Sequence, residues 1–84
     1  MAIKQEIFSS EEPRSVEEIG KFLINIGEKL VNDGSFSLRR GEEDLVITPT
    51  GIVILELEYK TKGEKHEFEI EIEWKPGARE VTVE

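Results

Sequence analysis

The chain has 84 residues, of which 37% are hydrophobic and 36% charged, with a formal net charge of −8. That length makes one domain with a single two-layer core, burying roughly 60–65% of the surface its unfolded chain exposes. The acidic balance excludes binding of nucleic acid through its phosphates, which needs clustered Lys and Arg, and equally excludes docking on an anionic membrane.

No apolar run approaches the ~20 residues that span a bilayer, and no signal-peptide core follows Met1. The chain contains no cysteine, hence no disulfide framework and no thiolate metal site. The expectation is a cytoplasmic protein. Its charged residues are mostly Glu and Lys, a profile shared with heat-adapted proteins, where ion-pair networks cost less to form.

In chain order, Ala2 to Phe8 alternates Ile3, Gln5 and Ile7 against Lys4 and Glu6, which predicts a short strand. A connector with Pro13 leads to Ser15, which forms a capping-box pattern with Glu18. Val16, Ile19, Leu23, Ile26 and Leu30 then recur at spacings of three and four, the stripe of an amphipathic helix ending at Asn32-Asp33-Gly34. Gly20 and Gly27 border that stripe. Each costs about 1 kcal/mol relative to alanine, which close approach to a sheet bearing Phe68 and Trp74 would offset.

Phe36 and Leu38 predict a short strand, Arg40 to Glu43 a turn, and Leu45 and Ile47 a return strand ending at Pro49. After Thr50-Gly51, a long strand runs from Ile52 to Lys60 with Val53, Leu55, Leu57 and Tyr59 on one side. The turn Thr61-Lys62-Gly63-Glu64 joins it to the most regular stretch of the sequence, His66 to Trp74. There Phe68, Ile70, Ile72 and Trp74 alternate with Glu67, Glu69, Glu71 and Glu73. Pairing Tyr59 with His66 would set Glu58 against Glu67 and Glu56 against Glu69. Val81 to Val83 is read as a last short strand or a tail. The predicted fold is α+β: one helix on one face of a mostly antiparallel sheet of four or five strands, in the order β-α-β-β-β-β.

This arrangement resembles the amphi-Trp domain family. The resemblance is carried by the N-terminal strand, the helix opening at Ser15-Val16-Glu17-Glu18, and the small residues Gly20 and Gly27. It continues through Val46-Ile47-Thr48-Pro49, Leu55-Glu56-Leu57-Glu58 and the amphipathic strand ending at Trp74, for which the family is named. It implies a small domain found largely in prokaryotes, including many archaea, and no assigned chemistry.

Chemistry is sparse. The single histidine, His66, allows no histidine pair or triad, and the glycines form no phosphate-cradling loop. Arg39 and Arg40, adjacent on a strand, point oppositely and do not converge on an anion with Arg14. No catalytic residue, cofactor site or metal site is assigned, and the chain is not expected to be an enzyme. The one dense array is acidic. An open sheet face of Glu56, Glu58, Glu67, Glu69, Glu71 and Glu73, closed by Trp74, is the candidate interaction face. With an unpaired edge strand, it would serve a basic protein partner or another copy, giving a monomer or weak homodimer. The alternative is a cation or small ligand held by Glu56, Glu58, Glu67 and Glu69.

Overall fold

The computed structural model describes residues 5–75. It contains one helix, α1 (Val16–Asp33), and four strands: β1 (Phe36–Arg40), β2 (Glu43–Ile47), β3 (Val53–Lys62) and β4 (Lys65–Trp74). The fold is α+β, with every strand pairing antiparallel.

Helix α1 begins and ends where local chemistry dictates. The Glu18 backbone N–H donates to the Ser15 hydroxyl at 3.1 Å, and the Ser15 N–H donates to the Glu18 carboxylate at 3.3 Å. This reciprocal box satisfies two of the donors that a helix start leaves free. At the other end Gly34, at φ 69°, donates its N–H to the Leu30 carbonyl and closes the last turn.

Both hairpins turn on the same two residues, Gly41-Glu42 and Gly63-Glu64. Each glycine has φ near +60°, while among the described residues no other residue type has a positive φ. A positive φ at only the first central position is the signature of a type II′ turn, whose twist matches that of the flanking strands. This placement corrects the expected register. With Gly63 first in the turn, Lys62 pairs with Lys65, Tyr59 with Phe68, Glu58 with Glu69 and Glu56 with Glu71. The slip is two residues from the expected pairing, so every side chain keeps its face but changes its partner.

The four strands form two separate two-stranded sheets, β1–β2 and β3–β4, rather than one continuous sheet. The segment between them holds Pro49, which cannot donate to a ladder, and Gly51 at φ 74°. The expected first strand lies partly outside the described residues; its described part, 5–8, is not a strand. Val81 to Val83 lie outside the described residues.

Helix α1 contacts β1 and, among the described elements, neither β3 nor β4. Ile26 and Leu30 on the helix, with Phe36, Leu38, Leu45 and Ile47 on the first hairpin, are half-buried. Contrary to the sequence expectation, Gly20 and Gly27 do not face Phe68 or Trp74: a methyl group at either would meet nothing within 4 Å. The helix stripe is itself covered only in part, with Ile26 and Leu30 half-buried but Ile19 48% and Leu23 45% exposed.

None of the described residues is fully buried. The structure exposes 8303 Å² to solvent, whereas a compact monomer of this mass exposes about 5,100 Å².

Candidate functional site

The β3–β4 hairpin is the element with two distinct chemistries, and the period of two in both strands sorts them. Val53, Leu55, Leu57 and Tyr59 stand opposite Trp74, Ile72, Ile70 and Phe68, so one face carries eight apolar side chains and no charge. The face is open: Leu55 is 62% exposed, Leu57 61%, Tyr59 64% and Phe68 59%. Ile72 and Trp74 are half-buried. At the turn end the Tyr59 ring stacks on His66 with centroids 6.0 Å apart, and the Tyr59 hydroxyl lies 2.6 Å from His66 Nδ1. His66 is thus a cross-strand packing residue that closes the apolar face with a polar rim.

The opposite face carries Glu56, Glu58, Glu67, Glu69, Glu71 and Glu73, as the alternation requires. It is not an uninterrupted acidic ladder. Lys60 stands opposite Glu67, and its Nζ lies 3.2 Å from Glu67, 3.5 Å from Glu69 and 3.9 Å from Glu58. Lys65 reaches Glu67 at 3.6 Å. The hydrogen bond from Lys60 holds the Glu67 carboxyl below its usual value, and the same bond, with the charges of Glu58 and Glu69, pushes the Lys60 ammonium up. The sequence expectation of glutamates facing only glutamates is corrected here, because the two-residue slip brings a lysine among them.

Farther from the turn, carboxylate oxygens of Glu56, Glu71 and Glu73 come within 4.8 Å of one another, all exposed. These are not the four glutamates of the sequence-based cation reading, of which Glu58, Glu67 and Glu69 are engaged by Lys60. The face is therefore polarised, with Lys60, Lys62 and Lys65 toward the turn and Glu56, Glu71 and Glu73 toward the open end.

Trp74 is the last residue of β4, paired with Val53 at the open end of the hairpin. With Ile52, Ile54, Ile72, Glu73 and Lys75 it lines a groove of about 530 Å³. The amphipathic strand thus ends on an aromatic ring that belongs to the apolar face and borders a groove. The Amphi-Trp domain family model matches residues 1–83.

The chain belongs to the Amphi-Trp domain family.

In this Amphi-Trp domain the amphipathic strand that ends at Trp74 is β4, and its partner is β3. No curated protein and no solved structure matches the chain. No described helix is long and apolar enough to cross a membrane. The three arginines among the described residues are engaged at the surface: Arg39 pairs with Asp44 at 3.4 Å, Arg40 with Glu43 at 3.8 Å, and Arg14 with Glu12 and Glu18.

Of the residues marked in the sequence, the structure gathers all six glutamates on one face and sets Trp74 on the other. The sequence pattern does not show Lys60 as a charge partner of these glutamates, nor that the β3–β4 apolar face is open. Two amphipathic hairpins and one 18-residue helix leave one apolar sheet face without a cover.

Proposed function

We propose that this Amphi-Trp domain is a non-enzymatic protein-docking module whose working surface is the apolar face of the β3–β4 hairpin. The observation that carries the reading is that eight contiguous apolar side chains without a charge share one face of the β3–β4 sheet, six of them exposed and Ile72 and Trp74 half-buried. Single exposed apolar residues are ordinary on a surface, but a contiguous patch of this kind marks an interaction site. An isolated two-stranded hairpin is marginal in water, so a covered apolar face also supports the fold itself. The glutamate face, with Lys60 within it, stays solvated and keeps the other side of the sheet from pairing non-specifically. As to compartment, the cysteine-free composition suits the reducing cytoplasm.

The test is site-specific photo-crosslinking. A photoreactive phenylalanine analogue replaces Phe68 on the apolar face or Glu69 on the acidic face, and lysate of the producing cells is irradiated. A discrete heavier adduct from position 68 and not from position 69 is expected. Adducts from position 69 alone, or none from position 68, would contradict the reading.

A further inference from the structure

Resting on that reading, we infer that the partner is a second copy of this chain, with two β3–β4 hairpins packed apolar face on apolar face about a two-fold axis. Three features of the hairpin select this occupant.

The first is area. Eight large side chains with about half their surface in water leave roughly 600–700 Å² of apolar surface on each hairpin, so a two-fold contact removes about 1,300 Å² in all, within the ~1,200–2,000 Å² of specific interfaces. Pairing through a strand edge would leave this face in water and gain backbone hydrogen bonds alone.

The second is charge. The glutamates of both strands point away from the apolar face. Two sheets packed about 10 Å apart therefore hold their acidic sides outward, on opposite sides of the sandwich and in solvent. Contact through the acidic faces would instead set the six glutamates of one copy against the six of the other. A basic partner is drawn to the acidic face. The apolar face takes an uncharged surface, which the same face of another copy supplies.

The third is the order of side chains along the face. Leu55, Leu57, Ile70 and Ile72 form an aliphatic middle, with Tyr59 and Phe68 at one end and Trp74 at the other. A two-fold axis across the strands lays the Tyr59–Phe68 end of one copy over the Val53–Trp74 end of its partner, with aliphatics meeting aliphatics. The polar tips of Tyr59, His66 and Trp74 then lie at the rim, where water reaches them.

The experiment is sedimentation equilibrium of the purified full chain from about 1 µM to 1 mM, together with thermal melts over the same range. A particle of twice the 9.6 kDa chain mass and a melting temperature that rises with concentration are expected. Leu57→Lys should weaken the association about 100-fold or more. If Leu57→Lys fails to fold, the concentration dependence of the unaltered chain decides. A monomer at every concentration with a constant melting temperature overturns the second copy. The wider docking reading is separated by a soluble paramagnetic agent that broadens exposed methyl signals. A monomer whose Leu57 and Ile70 methyls are broadened leaves the open face standing as a docking surface. A monomer whose methyls are shielded has its own helix folded over them, and both readings fail.

Discussion

Replacing Ile70 by alanine should weaken self-association while leaving the hairpin formed. Ile70 sits mid-face opposite Leu57 and is 45% exposed in the single chain. Fully burying an isoleucine is worth about 1.5–3 kcal/mol, so covering its exposed 45% is worth about 0.7–1.4 kcal/mol per copy. Two-fold symmetry counts each change twice, and the loss of about 1.4–2.8 kcal/mol per dimer raises Kd about 10- to 100-fold. Sedimentation equilibrium reads that change directly, and circular dichroism checks that the strands persist. Ile24→Ala is the control: Ile24 is 61% exposed on α1, away from the helix stripe, and its replacement should leave Kd within about 3-fold. An Ile70→Ala dimer within about 3-fold of the unaltered chain would refute the assignment of this face to the interface. So would an equal shift from Ile24→Ala.

Ser15→Ala removes the N-cap acceptor and should lower stability by about 1 kcal/mol, read as a fall in the denaturant midpoint at constant slope. Gly20→Ala should raise stability by about 0.5–1 kcal/mol, because an added methyl meets nothing and helix propensity improves; a fall would restore close packing at this glycine. Gly63→Ala should destabilise the hairpin by about 1 kcal/mol or more, since its φ of 60° opens the type II′ turn. Acid should expose the carboxylates held by partners. Glu18, through hydrogen bonds from Ser15, and Glu67, through the bond from Lys60, have folded values below the usual 4.5. Their contribution is therefore present above the unfolded value and lost as pH falls through the lower folded one. Melting curves below about pH 4.5 should fall less steeply in Lys60→Gln than in the unaltered chain, and identical slopes would remove Lys60 from the account.

The local structure was legible because each boundary had its own chemistry. Ser15 with Glu18 and then Gly34 bracketed α1, and strict alternation placed the side chains from Val53 to Lys60 and from Glu67 to Trp74 on their observed faces. What the pattern could not supply was the position of glycine within a two-residue turn. Gly63 at the first rather than the second central position shifts the pairing by two and brings Lys60 opposite Glu67. The candidate glutamate face was thus read correctly as a face and incorrectly as unrelieved charge. Sheet continuity was less legible still. Periodicity shows that Leu57 and Ile70 share an apolar side but not what covers it, and here neither α1 nor the first hairpin does. Trp74, expected to close the acidic face, lies on the apolar side at the end of the sheet, half-buried beside a groove.

An isotope-filtered NOE experiment on an equal mixture of labelled and unlabelled chains reads the interface itself. A dimer joined through the apolar face gives contacts between copies from the Leu57 and Ile70 methyls of one chain to the apolar face of the other, including the Tyr59 or Trp74 rings. Intermolecular contacts confined to the glutamate face or the strand edges, or none at concentrations where the chain is dimeric, would contradict it.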